Sequence, residues 1–552
     1  MLGFALRFYW LGQVPAGFLS DEAAVGYNAY SLIKTGRDEF GQSWPLFFRS
    51  FGEGKLTLYV YEAVLPVLVF GLNQFSVRFM PAFLGSLTVG IIYLLTKELL
   101  QKKPLPRERI ALLASFSLAV MPWHIHFCRG VFGQESLFWT ALGSWLFLLG
   151  RRREKPFLTL AAFFSFTASL LTYHAARVFT PLWLMFLLVF CWQKTSRKRN
   201  LMKIILFSVL IIIPSVLIVK SSVGGARGGG ISLFHSQSGV QIKLQESIME
   251  CRDKPFWLIR LFHNKLESYL RDLGQRYFSH FNPDFLFFSG DPLRPRYRVP
   301  HVGQLLLVQA PFFLVGIYLF FQLKLWPVSA WLALGPLPAA ITFETPSSVR
   351  AIFMTLPLAW AVSLGINWFY GLFARKRKFL LAVFLVLIVF FSWSFGYYLD
   401  AYYVHQEVHQ PYYWQYGYRQ LVARINELEA DYQRVEITDA RGNPYIFFLF
   451  YNRYDPVKFQ SEVWDNWEPA QKFSFEAIRK LGEKLYFVNQ LCPAEKGAEE
   501  GVLYVCTQEH HPREEIKKGK VRVLETIDYQ DGQEAFVLME KVKGEADGKA
   551  VK

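Results

Sequence analysis

The stretch VRFMPAFLGSLTVGIIYLLTKELLQKKPLPRERIALLASFSLAVMPWHIHFCRG, residues 77–130, decides the fold. Its two apolar runs, 76–97 and 110–128, each approach the roughly 20 residues that cross a hydrocarbon core of about 30 Å. The connection between them carries Lys97, Lys102, Lys103, Arg107 and Arg109, and the second run closes on His124, His126 and Arg129. This is the pattern of a pair of spanning helices with a basic turn on one side of a bilayer and a His/Arg cluster on the other.

The same alternation recurs outward from this stretch. Candidate spans fall at 1–18, 76–97, 110–128, 134–150, 156–173, 178–193, 201–219, 302–323, 325–343, 350–373 and 379–398, about eleven in all. The 552-residue chain is 52% hydrophobic and only 19% charged, too apolar for an ordinary soluble protein. Its net charge of +16 raises the question of nucleic acid. Five short stretches, 97–109, 151–155, 194–203, Lys324 and 375–378, hold 19 Lys/Arg against 3 Asp/Glu, an excess equal to the whole net charge. The basicity therefore marks the cytoplasmic side of a membrane, and no nucleic-acid partner is expected.

Charge parity also handles the apolar run 56–72. If it crossed, the stretches 151–153 and 375–377 would fall opposite to the other basic loops, so it is expected to lie at the outer interface. That places outside the first loop 17–75, the turns 124–135, 174–177 and 344–350, the long loop 221–300 and the C-terminal tail. Arg7 sits within the first apolar segment, which means either a start codon assigned too late or an arginine facing a protein cavity instead of lipid.

After Asp400 the long apolar runs stop, so the chain divides into a membrane region, 1–398, and a soluble region, 399–552. In the tail, β-rich runs at 435–438, 445–451, 484–488, 502–506, 521–527 and 535–539 alternate with helical patterns at 418–432 and 474–481, as in a small extracytoplasmic α/β domain. Neither a GxGxxG nor a Walker pattern accompanies them. Cys492 and Cys506 can pair if the tail is exported, or stay as core thiols. The long loop opens with the glycines 224, 225, 228, 229 and 230 and turns amphipathic over 241–281.

The residues with chemistry to offer gather on the outer side. Asp21 and Glu22 follow the first span, where two carboxylates suit a general base, a divalent metal site or a helix cap. His124, His126, Arg129, Tyr173, His174, Arg177 and Arg350 stand at the outer ends of spans, and Lys55 lies in the first loop. One such arginine is ordinarily a headgroup anchor. Several of them ringed around two carboxylates suit a phosphate group, whose oxygens a guanidinium fork matches. Zinc has no HExxH or CxxC pattern to rest on.

The segments SDEAAVGYNAYSL with GRDEFG, VRFMPAFLGSLTVGIIYLL, PWHIHFCRG, TYHAARVFTPL, HFNPDFLFFSGDPLRPRYRVP and VRAIFMTLPL resemble the GT-C class of membrane glycosyltransferases, in the branch of the protein O-mannosyltransferases and the lipid A aminoarabinose transferase. The resemblance covers most of 17–373. It implies a GT-C-like polytopic α-helical membrane protein in the plasma membrane, transferring one sugar with inversion from a polyprenyl-phosphate donor to a lipid, glycan or protein acceptor on the outer face. By the same resemblance Asp21 is the first-loop acid and Glu22 its neighbour. Lys55, Arg129, Arg177 and Arg350 meet the donor phosphate, while His124, His126, Tyr173, His174, Asp291 and Arg296 line the substrate site. No cofactor is certain, and a divalent metal at Asp21 and Glu22 is an open option. Lys55 is followed by Leu56-Thr57 where relatives often carry two prolines, and Tyr297-Arg298 also departs from the family's pattern. The competing readings are a transporter, for which mid-membrane charges and an internal repeat are missing, and an oligosaccharide ligase or polymerase of the cell envelope.

Overall fold

The computed structural model describes residues 1–192, 239–251, 253–374, 376–409, 411–468, 477–490, 492–507, 516 and 520–542. The expected span 201–219, the glycine run of the long loop, the basic stretch 194–203 and residues 474–476 lie outside the described residues.

Two compact units make up the chain. The first comprises Met1–Tyr9, Gly54–Tyr59 and Met80–Tyr402, and the second Trp10–Glu53, Val60–Phe79 and Tyr403–Lys552. The second unit thus takes in most of the loop 17–75 together with the tail, whereas the sequence placed that loop with the membrane region.

The first unit is helical. Among the described residues three helices are long and apolar enough to cross a membrane: Gln74–Leu99, Ile352–Phe373 and Lys378–His409. Thr57–Phe70, Pro156–Thr172, Ala176–Cys191 and Leu307–Gln322 are shorter apolar helices. Several of the eleven expected spans are therefore interrupted. Pro122 follows the helix Arg107–Ala119 and starts a separate short helix, Pro122–Phe127. Gly335 and Pro336 divide 325–343 into Trp326–Leu334 and Leu337–Ala340. A proline lacks the N–H that would continue the ladder of the preceding helix, which is why these runs break. Thr57–Phe70 has 14 residues, a length of about 21 Å that is short of the hydrocarbon thickness.

Close helix contacts in this unit depend on glycine. A Cβ on Gly316 would lie 1.8 Å from the Ala361 carbonyl oxygen, and one on Gly365 1.9 Å from that of Phe312. The helices Ala310–Gln322 and Thr355–Phe373 therefore touch backbone to backbone, as apolar helices do where lipid offers no hydrophobic drive for association. By contrast Arg377–Asp400 leaves Phe384, Val389, Phe390 and Trp393 more than half exposed, an apolar surface that a bilayer would cover.

In the second unit the tail forms a six-stranded mixed sheet. Arg434–Thr438 is central and parallel to both Leu485–Val488 and Val502–Thr507. Glu534–Lys541 adds antiparallel to Val502–Thr507, Val521–Asp528 follows at one edge, and Lys480–Leu481 lies at the other. Cys492 and Cys506 form a disulfide. Two expectations change here. Tyr445–Tyr451 is a helix, not a strand, and the described part of 474–481 is strand, not helix. The sequence YIFFLFY favours strand by composition, but Pro444 sets a helix start, and Tyr445 to Phe450 are all buried. Phe447 stacks on Tyr418 at 4.0 Å, and Phe450 lies 4.7 Å from Phe18. Burial on every side outweighs the weak local propensity.

Candidate functional site

In the second unit, Asp21 and Glu22 open the helix Ser20–Thr35. Glu22 is fully buried, and its Oε2 accepts from the Leu19 amide at 3.0 Å, closing the helix N-terminus. The two Glu22 oxygens also receive Nε and Nη2 of Arg78 at 2.8 and 3.0 Å. Arg78 donates in addition to the carbonyls of Pro15 at 2.9 Å and Gly17 at 2.6 Å. This dry, bidentate pair ties residues 15–22 to the start of the helix Gln74–Leu99. Glu22 is thus a scaffold carboxylate, which corrects its assignment as a catalytic acid and removes one of the two groups a metal at the dipeptide would need. Asp21 is half-buried in the first turn, where the helix dipole favours an anion.

The motif GRDEFG forms a fixed corner of the same unit. Asn28 donates to Glu39 and accepts from its amide, while Asp38 Oδ1 accepts from the amides of Phe40 and Gln42. Gln460 Nε2 donates to Ser31, Thr35 and the Asp38 carbonyl.

In the first unit, Arg7 is buried in protein. It donates to the carbonyls of Gly3, Leu118 and Ala119 and, at 2.6 Å, to Nδ1 of His124. An arginine facing a protein interior is one of the two readings its sequence position offered. Arg129, also fully buried, donates to the carbonyls of Leu6, Arg7 and Tyr9 and to the Tyr402 hydroxyl. It satisfies carbonyls that the short helix Leu2–Phe8 leaves open at its C-terminus. The expectation that Arg129 grips donor phosphate is therefore corrected, because its fork is consumed by the backbone. His126 Nε2 donates to the Arg296 carbonyl at 2.9 Å while His124 faces Arg7, so the two histidines serve different partners and neither is open to substrate.

The described part of the long loop 221–300 is laced to the turn before the helix Thr355–Phe373. Asp291 is 1% exposed and accepts four bonds, from the amides of Leu293, Arg294 and Ser348 and from the Ser348 hydroxyl. Burial raises its carboxyl above the ordinary value against the pull of those bonds. Asp291 is a clasp, which corrects its assignment to substrate. His280 donates from Nδ1 to the Arg276 carbonyl and accepts the Ser347 amide on Nε2. Its burial pushes its pKa down to about 4, so the ring is neutral. Arg350 donates to Glu344 at 2.7 Å and Arg294 to the same carboxylate at 2.6 Å. Burial raises the Glu344 pKa, but the two arginines outweigh it and hold the group below its usual range. Two guanidinium groups sharing one carboxylate leave a net positive charge. Arg296 stacks on Tyr297.

Tyr173 rests on the backbone of Gly133, whose φ is +74° and where a Cβ would come within 2.4 Å of the ring, and His174 meets Tyr173 edge-on. Arg177 stands in the first turn of the helix Ala176–Trp192. Its Nε and Nη2 are buried and have no hydrogen-bond partner among the described residues. Lys55 lies on the strand Glu53–Leu56, its side chain outside the described residues. No group of three or more His, Cys, Asp or Glu suited to a metal occurs among the described residues.

Residues 58–218 match the family described as dolichyl-phosphate-mannose-protein mannosyltransferase. ArnT from Cupriavidus metallidurans bound to undecaprenyl phosphate is similar with a TM-score of 0.55 and 12% identity, covering 97% of this chain and 96% of that one. The chain carries the GT-C fold. The apo state of the same ArnT gives a TM-score of 0.53 at 11% identity over the same shares of both chains. The oligosaccharyltransferase AglB from Archaeoglobus fulgidus, in complex with an inhibitory peptide and a dolichol-phosphate, has a TM-score of 0.49 at 13% identity over 82% of this chain. This chain spans 62% of that protein's length. No curated protein matches in sequence. Within this GT-C fold, Arg78, Arg294 and Glu344 were not singled out by sequence. Each pairs with a group distant in the chain, and charge patterning gives no register for such pairs.

Proposed function

We propose that the chain is an inverting glycosyltransferase of the plasma membrane, which moves one sugar from a polyprenyl-phosphate donor to a lipid, glycan or protein acceptor on the outer face. The observation that carries this reading is Arg177. A cation at a helix N-terminus runs against the helix dipole, and its buried Nε and Nη2 have no acceptor among the described residues, so the site is suited to an anion such as a lipid phosphate. The similarity of the fold to a protein bound to undecaprenyl phosphate supports that anion's identity. The Cys492–Cys506 disulfide supports an oxidising, extracytoplasmic surrounding for the tail.

In the proposed reaction the acceptor oxygen attacks the sugar's anomeric carbon as the bond to the phosphate oxygen breaks. The proton of the acceptor hydroxyl passes to a carboxylate base, a part given to Asp21 on its resemblance to the family's first-loop acid alone, and the bonding pair leaves with the phosphate. Positive charge develops on the sugar and negative charge on the leaving group, and fixed cations at the phosphate lower that barrier most directly. Arg177 has this role, with Lys55 and the net-positive Arg294, Glu344 and Arg350 group as further cations. With Glu22 bound to Arg78, no step runs through a metal at the dipeptide.

The test is a polyprenyl-phosphate sugar transfer assay with the purified full chain. Arg177→Ala is expected to lower kcat/KM by about 1.5–3 kcal/mol, roughly 10- to 150-fold, the worth of a hydrogen bond to a charged group. Arg177→Lys should restore only part of the loss, because a point charge cannot reproduce the fork. Unchanged kinetics in Arg177→Ala would overturn the assignment.

A further inference from the structure

The second unit holds a cavity of about 340 Å³, within the range of about 300–1,000 Å³ typical of small-ligand pockets, and none of its lining residues has a part in the proposed transfer. Chain segments far apart in sequence line it, from residues 10–18, 403–420, Gln74, Tyr451 and Gln530. We propose that this cavity is a binding site for an uncharged glycosyl unit, formed by side-chain amides set among aromatic rings.

The lining chemistry supports this class of ligand. Five glutamines face the cavity. Two of them hold it together: Gln415 accepts the Ser20 amide at 2.6 Å and donates to the Arg441 carbonyl at 3.0 Å, and Gln74 donates to the Tyr451 hydroxyl at 2.8 Å. The side-chain amides of Gln13 and Gln420 have no partner among the described residues and are exposed at the cavity. Each offers both donors and an acceptor, which is what a ring of hydroxyl groups requires. Trp10, Tyr403 and Tyr416 contribute rings, Trp10 standing edge-on to Tyr403 and 53% exposed. Such surfaces receive the C–H face of a sugar.

Charge excludes the nearest alternatives. Arg419 and Glu407 are the cation and the anion of the lining, and they cancel. A phosphate would need an excess of cations, and a quaternary ammonium an excess of anions or a closed aromatic cage. The walls are also built to a fixed shape. Trp10 and Gln415 both hold φ near +52°, a left-handed conformation uncommon for residues other than glycine, and such positions gather at ligand sites. Gly17 lies so close to Trp414 that a Cβ would come within 2.2 Å of its carbonyl oxygen.

This proposal concerns binding alone and stands whether or not the transfer reading holds. The test uses the full chain in lipid nanodiscs free of glycoside detergents, with saturation-transfer NMR. The probes are methyl α-mannopyranoside, methyl β-glucopyranoside, inorganic phosphate and choline. At least one methyl glycoside is expected to bind with a Kd of about 1 mM, a level typical of contacts worth about 4 kcal/mol. Gln420→Ala and Gln13→Ala, both exposed substitutions, should each weaken binding about 3- to 10-fold, one neutral hydrogen bond each. No glycoside signal at about 50 mM, binding indifferent to both substitutions, or phosphate or choline competing for the glycoside would each overturn it.

Discussion

Arg78, in the second unit, donates to both oxygens of Glu22 and to the carbonyls of Pro15 and Gly17, whereas Arg177, in the first, keeps Nε and Nη2 away from water with no acceptor among the described residues. Both are arginines near the end of an apolar helix, and sequence selected only Arg177. A guanidinium matched entirely from within the chain holds the fold in place. One left unmatched carries a desolvation cost that an incoming anion offsets. The adjacent acids differ in burial and in role. Glu22 is locked to Arg78, and Asp21, one residue earlier, is half-buried in the first turn.

The largest expected effect lies in that pair of acids. Asp21→Asn should leave the protein folded and lower turnover about 100- to 10,000-fold, the usual contribution of a general base. Glu22→Ala should instead destabilise the fold by about 3–5 kcal/mol, because Arg78 would be left buried without its partner. Thermal unfolding in detergent read beside the transfer assay separates the two. Equal loss of stability in both variants would erase the distinction.

A smaller effect concerns the clasp of the long loop. The His280 pKa in the folded chain, about 4, lies below its unfolded value near 6.5, so the unfolded chain binds the extra proton first. The stability that neutral His280 contributes is therefore complete above about pH 6.5 and is lost as pH falls toward 4, by up to about 3 kcal/mol. Thermal unfolding of the wild type against His280→Gln between pH 7 and 4 isolates this slope. A pH dependence identical in the two would show that another group is responsible.

The smallest effect is expected at Arg350. Glu344 keeps Arg294 when Arg350 is removed, so Arg350→Ala should cost under about 1 kcal/mol in stability, as partly exposed pairs do. Its effect on kcat/KM should be smaller than that of Arg177→Ala. A larger effect would move the principal phosphate contact from Arg177 to Arg350.

Much of the architecture was legible because it follows from periodicity and charge. The basic turns, the short helix at 56–72, and the runs at 435–438, 484–488, 502–506, 521–527 and 535–539 each reflect a local pattern. The helix Tyr445–Tyr451 was not legible, since its aromatic run suits a strand and only burial against Phe18, Gly26 and Tyr418 makes it a helix. Continuous spans were over-read for a related reason. Hydropathy averages over Pro122, Gly335 and Pro336, while the hydrogen-bond ladder does not.

At the site, sequence singled out residues by type, and assigned Glu22 to catalysis, Arg129 to the donor phosphate and Asp291 to substrate. Their partners, Arg78, the carbonyls of Leu6 to Tyr9, and Ser348, lie 56 or more residues away in the chain. By itself, then, the amino-acid sequence determined an apolar, multi-helix chain with a two-sided charge pattern and a β-rich tail, because those properties are sums over local residues. Only the tertiary structure decided which charged groups are matched within the fold, because that depends on which distant atom occupies each hydrogen-bonding direction.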